Sequence, residues 1–167
     1  MWGTDGTATL TGEGQVTIFI AVDHGTQECI GIHSALQGTR FEALEPIRQG
    51  IWEHYGSYTP QVAPGLIQHH DNGSQHTLSY FQEELGFLGI ASSPDHDREP
   101  EGNGVAERFI RTLKEQLLWV QHFATVAELE PGPQAFKQRY NQQWLVSKHD
   151  YLATQNARVL LALEPAA

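Results

Sequence analysis

The chain has 167 residues, enough for one domain with a sizeable core and too few for two ordinary domains. A hydrophobic share of 40% with 18% charged residues is typical of globular proteins and argues against a disordered chain. The formal net charge of −10 argues against a protein that coats DNA through its overall charge, although seven of the ten Lys and Arg residues follow residue 100.

The location of the chain is predicted from what its sequence lacks. No apolar run reaches the length of a membrane span, and no charged and apolar secretory signal follows Met1. The single cysteine, Cys29, can form no internal disulfide and is predicted to be a small buried apolar residue. We therefore expect a cytoplasmic protein without a membrane partner.

The first third of the chain is predicted to form three strands. Short runs rich in β-branched and aromatic residues cover about 2–10, 15–23 and 28–36, and turn residues separate them. The turns are of hairpin type. An antiparallel three-stranded meander is therefore expected.

A helix is predicted next. Thr39 and Glu42 form a candidate capping box, and Pro46 should either kink the helix or mark its true start. The apolar residues recur at helical spacing toward Gly56: Phe41, Leu44, Ile47, Ile51 and Tyr55.

The middle of the chain alternates short strands with helices. A short buried strand, "LIQHH", leads to Asp71, a helix begins near residue 77, and "GIASS" is a further strand. A loop rich in Pro, Gly and acids follows over 92–104. This order predicts an α/β fold with a mixed sheet.

The most regular helix pattern covers about 104–120. Its apolar residues fall within one arc of the helix: 105, 106, 109, 110, 113, 117 and 120. Glu107, Arg111 and Lys114 form a polar strip beside that arc. Further along, Thr125 and Glu128 suggest another cap, and the prolines at 131–133 are predicted to break the chain. A further helix is expected over Gln134–Leu145.

Three acids stand out by position. Singly, Asp5 could be a solvent-facing strand residue, Asp71 a turn former and Glu107 a first-turn helix acid. If the first and fourth strands are neighbours, however, the two aspartates converge, and a helix across them brings in Glu107. Three carboxylates suit Mg²⁺ or Mn²⁺, and two such ions about 4 Å apart can support phosphoryl displacement.

Histidines offer a zinc alternative. His69, His70, His76 and His96 show neither the i, i+4 spacing nor the Cys-His pattern of known zinc sites. Adjacent strand residues point to opposite faces, so His69 and His70 should not share an ion. We expect one to flank the acids and the other to pack in the core.

Three motifs make the chain resemble a known family. They are "WGTDGT" around Asp5, "HHDNGSQ" around Asp71 and "PEGNGVAERFIRTLKE" around Glu107. The chain resembles the catalytic core shared by retroviral integrases and DDE transposases, most closely the transposases of bacterial insertion sequences. Thirty-five residues separate the second and third acids, as is typical of that family, and the resemblance extends to "RYNQQW" at 139–144.

The resemblance implies a fold, a site and a cofactor. The fold would be ribonuclease-H-like, with a five-stranded mixed sheet (an antiparallel three-stranded meander plus two parallel strands) flanked by helices. The three acids would bind Mg²⁺ or Mn²⁺, as two ions when DNA is present. Of the remaining matched positions, Arg111, Lys114 and Arg108 would contact DNA, and Asn72, Gly73 and Asn103 would support the turns and loop around the acids.

The resemblance also implies domains and partners. Residues 1–122 would be the catalytic core and 123–167 a helical extension packed on it. DNA, as transposon ends and target, and further copies of the chain would be the partners, in a bacterial cytoplasm at the nucleoid. The family usually recognises element ends through a separate N-terminal helix-turn-helix region, and we expect this chain to be a core without it.

The expected activity is DNA strand cleavage and strand transfer, with two alternatives. One is a ribonuclease-H-type nuclease for RNA–DNA hybrids, which would use the same acids. The other is a catalytically decayed core retained as a DNA-binding or multimerisation module.

Overall fold

A five-stranded mixed sheet forms the centre of the protein. The computed structural model describes residues 1–70, 79–94 and 103–163. Strands β1 (Trp2–Thr11), β2 (Gly14–Asp23) and β3 (Cys29–Ala35) form the predicted antiparallel meander, within one residue at every end. Strands β4 (Ile67–His70) and β5 (Ala91–Pro94) continue the sheet in parallel, giving the order β3-β2-β1-β4-β5. The predicted mixed sheet is thus confirmed, with the first and fourth strands as neighbours.

Helices cover both faces of this sheet. They are α1 (Arg40–Tyr55), α2 (Ser79–Leu88), α3 (Gly104–Leu113), α4 (Val126–Leu129), α5 (Pro131–Gln143) and α6 (Thr154–Leu163). A small hairpin of β6 (Leu145–Val146) and β7 (Leu152–Ala153) precedes α6. None of the helices in the described part of the chain is long and apolar enough to cross a membrane.

The side chains of β2 point alternately into two hydrophobic cores, one on each face of the sheet. Ile18 and Ile20 face α3 and α5, whereas Phe19 and Ala21 face α1 and α2. Successive strand residues point to opposite faces, so one apolar strand supplies both cores. β2 is therefore buried on both sides at the middle of the fold.

Helix α1 begins and ends as its sequence predicts. The Thr39 side chain accepts a hydrogen bond from the Glu42 N–H, and Gly56 ends the helix with a φ of 69°. Pro46 lies inside the helix and does not mark its start. The buried face is narrower than predicted: Phe41 and Tyr55 are 45% and 41% exposed, since they lie at the helix ends.

Helix α3 differs from its prediction at the C-terminal end. The α-helix ends at Leu113 and continues as one π-helical turn over Lys114–Leu118. A π turn holds an extra residue and shifts all following side chains around the axis. Leu117 and Leu118 are therefore both buried, and Val120, predicted to be on the buried stripe, is 66% exposed.

Helix α5 corrects a second prediction. The predicted chain break at 131–133 is wrong, because α5 begins at Pro131. Proline is tolerated in the first helical turn, where no N–H is needed for an intrahelical bond. The predicted cap before it is confirmed: Thr125 accepts a hydrogen bond from the Glu128 N–H.

Helices α4 and α5 pack on the same core as α3. Phe136 and Tyr140 of α5 contact Phe109, with ring centroids 5.7 and 4.8 Å apart. Asn141 lies beside them and fastens α5 to β3. Its side-chain amide donates to the Cys29 carbonyl at 2.8 Å, and its side-chain oxygen accepts from the Cys29 N–H at 2.9 Å.

We predict that Asn141→Ala destabilises the protein by about 2–3 kcal/mol. The substitution leaves a buried N–H and a buried C=O of Cys29 without partners, and each such loss costs about 1–3 kcal/mol. Urea unfolding followed by circular dichroism measures the change. Gln142→Ala, at an exposed position of the same helix, is the matched control and should change stability by less than about 0.5 kcal/mol. Equal effects of the two substitutions would contradict the role of Asn141.

Candidate active site

Strand pairing determines which way Asp5 points. Asp5 lies directly opposite Ile20 of β2, and Ile20 is buried in the core that α3 covers. Directly opposed side chains of an antiparallel pair lie on the same face of the sheet. The Asp5 side chain is therefore on the α3 face, half-buried, where its Oδ1 accepts a hydrogen bond from the Gly6 N–H at 2.7 Å.

Helix α3 brings a second carboxylate to the same place. Its buried residues Phe109, Ile110 and Leu113 pack in the core under the sheet. This packing sets the rotation of the helix, so that Glu107, Arg111 and Lys114 lie on one side of it. A cavity of about 360 Å³ is lined by both carboxylates and two cations: Asp5, Glu107, Arg111 and Lys114.

Asn103 connects the start of α3 to β1. Its side-chain amide donates to the Thr4 carbonyl at 3.0 Å, and its own carbonyl accepts from the Glu107 N–H at 3.1 Å. Thr4 directly precedes Asp5. The side chain of this buried asparagine thus fastens the start of α3, one helical turn before Glu107, to the residue next to Asp5.

The three basic residues predicted to contact DNA differ in their surroundings. Arg111 is 78% exposed and donates to the Glu115 carboxylate at 2.9 Å, a hydrogen bond that raises the pKa of Arg111. Lys114 lines the cavity and is half-buried. Arg108 is exposed but is not among the residues lining this cavity. It lies within electrostatic reach of Tyr140, whose pKa burial raises to about 12.

The two adjacent histidines of β4 contact different elements. The His69 ring lies 6.2 Å from that of His24, at the end of β2. The His70 ring lies 5.6 Å from Phe81 of α2, and its Nε2 is 2.8 Å from the Ser92 hydroxyl. The prediction that the two histidines do not face the same way is confirmed.

The remaining predicted residues fall outside the described structure. These are the acid Asp71, the turn residues Asn72 and Gly73, and the histidines His76 and His96. The described part of β4 ends at His70, which directly precedes Asp71, and its parallel register pairs Gly3 with His69. Within 1–70, 79–94 and 103–163, no three His, Cys, Asp or Glu side chains are close enough together to hold a metal ion.

The donor atoms of the cavity fit a divalent magnesium-type ion. Mg²⁺ is usually held by one or two carboxylates, with water and substrate phosphates completing its shell. Asp5 and Glu107 supply two carboxylates, and the cavity has room for the other ligands. The residues that could hold the ion are therefore these two acids, without a histidine or cysteine.

Comparison with known proteins identifies an integrase core domain within the chain. Residues 88–153 match the family described as integrase core domain. The chain is 33% identical over 130 residues to the transposase for insertion sequence element IS904 of Lactococcus lactis subsp. lactis (strain IL1403), covering 77% of this chain and 48% of the relative. Residues 88–153 thus match an integrase core domain, and the chain is similar to an insertion-sequence transposase.

Solved structures agree with the fold of this integrase core. The catalytic core domain of BIV integrase superposes with a TM-score of 0.70 at 19% identity, covering 96% of this chain and 94% of that one. The HTLV-2 integrase catalytic core domain in complex with magnesium (trimeric form) superposes with a TM-score of 0.67 at 17% identity, covering 93% of each. The sheet is therefore that of a ribonuclease-H-like fold, as the sequence motifs imply.

The integrase core is shorter than the curated relative that it matches. It spans about half of the length of that transposase, 48%.

The sequence did not predict that Trp119 lies near the acids. Trp119 directly follows the π turn and lines the cavity together with Asp5 and Glu107. A regular helix wheel places Leu118 off the buried stripe and Val120 on it, which is the reverse of their places in the structure. The sequence feature that could have indicated it is a tryptophan shortly after the helix that carries Glu107, Arg111 and Lys114.

We predict that Asn103→Ala destabilises the integrase core by about 1–2 kcal/mol. The substitution leaves the buried Thr4 carbonyl without its donor. It should also increase hydrogen exchange in the first turn of α3, because that turn loses its tie to β1. Urea unfolding and hydrogen-exchange mass spectrometry measure the two effects, with Asn156→Ala at an exposed position of α6 as the control. Unchanged exchange at 104–108 would show that Asn103 does not fasten the helix.

Proposed function

We propose that the integrase core performs divalent-metal-dependent cleavage and strand transfer of DNA. The observation that carries this proposal is that Asp5 and Glu107, from a strand and a helix distant in sequence, line one cavity with Arg111 and Lys114. Two acids beside two cations can bind a metal ion and a phosphate together. The homology to an insertion-sequence transposase favours DNA as the phosphate source.

Asp5 and Glu107 would hold the metal ion through their carboxylates. Asp71, which directly follows the described end of β4, is proposed as the third ligand. A bound Mg²⁺ or Mn²⁺, or two such ions with DNA present, would supply an activated water or 3′-hydroxyl and stabilise the leaving oxygen. The repulsion between clustered carboxylates favours uptake of the cation.

Arg111 and Lys114 would bind the phosphates of the DNA strand beside the acids. Arg111 lies on α3 and Lys114 begins the π turn that follows it, and both line the same cavity as Glu107. Their charge is local, so DNA can bind here although the chain as a whole carries −10. The exposed Arg108 would extend the contact along the helix.

The assembled protein would act as a homo-oligomer on transposon ends and target DNA. The comparison structure of the HTLV-2 core is described as a trimeric form, which shows that a core of this fold can associate. We place the activity at the nucleoid of a bacterial cell, with end recognition supplied by a separate N-terminal helix-turn-helix region.

We predict that Asp5→Asn and Glu107→Gln each lower Mn²⁺-dependent nicking of supercoiled DNA by about a hundredfold or more. Metal-held charge contributes several kcal/mol to such transition states, and about 1.4 kcal/mol corresponds to tenfold in rate. The melting temperature should be unchanged or raised, because one of two repelling charges is removed. Gel assays of nicking and thermal melts by circular dichroism measure these outcomes.

Two exposed acids outside the cavity provide matched controls. Asp150→Asn and Glu83→Gln remove the same charges and should nick DNA at the wild-type rate. Wild-type nicking by the Asp5 and Glu107 variants would contradict the metal role. Preferential cleavage of an RNA–DNA hybrid by the wild-type protein would assign the same acids to a hybrid nuclease instead.

A further inference from the structure

A second cavity adjoins the one that holds the acids. It measures about 530 Å³ and is lined by Ala8, Thr9 and Leu10 of β1, together with residues 118–122. The first cavity is lined by the preceding residues of the same strand, Asp5 to Thr7. The two cavities therefore follow one another along β1, over about 17 Å from residue 5 to residue 10. This is about the length of five nucleotides of a stacked DNA strand.

Trp119 is the residue common to both cavities. Its side chain is 69% exposed, whereas the preceding Leu117 and Leu118 are both buried. Its backbone N–H donates to the Lys114 carbonyl at 2.9 Å, the five-residue bond of the π turn. The indole thus projects from a firmly anchored backbone at the boundary between the acids and the second cavity.

The lining of the second cavity suits contact with nucleotide bases and does not suit contact with phosphates. Its lining contains no carboxylate, lysine or arginine. Among the large apolar residues of the described chain, four have exposed fractions above 65%, and three of them line this cavity: Leu10 at 72%, Trp119 at 69% and Val120 at 66%. Leaving a cluster of such groups in water is unfavourable, and a cluster of this kind typically marks a surface that a binding partner covers.

We propose that Trp119 is a stacking platform for an unpaired DNA base within a few nucleotides of the phosphate held at Asp5 and Glu107. This inference rests on the proposed function, since it takes the acid-lined cavity as the place of the scissile phosphate. An exposed indole stacks on a base when one face of that base is free, as in a single-stranded tail or a distorted strand end. Arg111 and Lys114 hold the backbone, and the base extends toward the second cavity.

The test is binding of tailed DNA in Ca²⁺, with 2-aminopurine at each of five unpaired positions in turn. The fluorescence of 2-aminopurine falls when the base stacks. The wild-type chain should quench one or two positions near the duplex junction, Trp119→Phe should retain part of that quenching, and Trp119→Ala should abolish it. Stacking on one aromatic ring predicts that Trp119→Ala weakens binding of tailed DNA about tenfold. Binding of blunt duplex should change less than about twofold.

The controls separate this inference from the function on which it rests. Trp52→Ala removes an exposed tryptophan from α1, on the opposite face of the sheet, and should behave as the wild type. If the wild type nicks DNA in Mn²⁺ but Trp119→Ala quenches and binds as the wild type does, the stacking role is wrong and the proposed function stands. If the wild type neither binds nor nicks DNA, both are wrong. If Trp119→Ala changes only the sedimentation of the DNA-free chain, the surface is a protein interface and the stacking role is again wrong.

Discussion

The packing of α3 against the paired strands β1 and β2 is the constraint on which the site depends. Phe109, Ile110 and Leu113 insert into the core beside Ile18 and Ile20, and this contact sets both the position and the rotation of the helix. Glu107 consequently lines the same cavity as Asp5, which the strand register directs to that face. A substitution that disrupts this packing would therefore displace the Glu107 carboxylate, even where no residue lining the cavity is changed.

Polar anchors complete what the apolar packing begins. Asn103 joins the start of α3 to the strand beside Asp5, and Asn141 joins α5 to β3. Both asparagines are buried and bond to backbone groups of strands distant in sequence. The carboxylates themselves can then remain half-buried or exposed, accessible to a metal ion and to phosphate. The buried contacts position the strands and helices, whereas the two carboxylates line a cavity at the surface.

Much of the fold could be predicted because its signals are local. The three long strands are runs of β-branched residues bounded by Gly and Asp, and Thr39 and Thr125 cap helices through short-range bonds. The π turn after Leu113 could not be predicted because no local motif marks it; its effect is seen in the burial of two consecutive leucines in the core that α3 and α5 share. For the same reason the placement of Trp119 was missed. Asn103 was singled out by resemblance, but its bond to Thr4 spans 99 residues and has no local signal.

Asp5 and Glu107 are proposed to hold a divalent cation together. An anomalous difference map from crystals of the protein soaked in Mn²⁺ tests this directly. A peak is expected in the cavity, in contact with both carboxylates, and should be absent from crystals of Glu107→Gln treated in the same way. A peak held by other residues while this cavity stays empty, or one that persists at full height in Glu107→Gln, would contradict it.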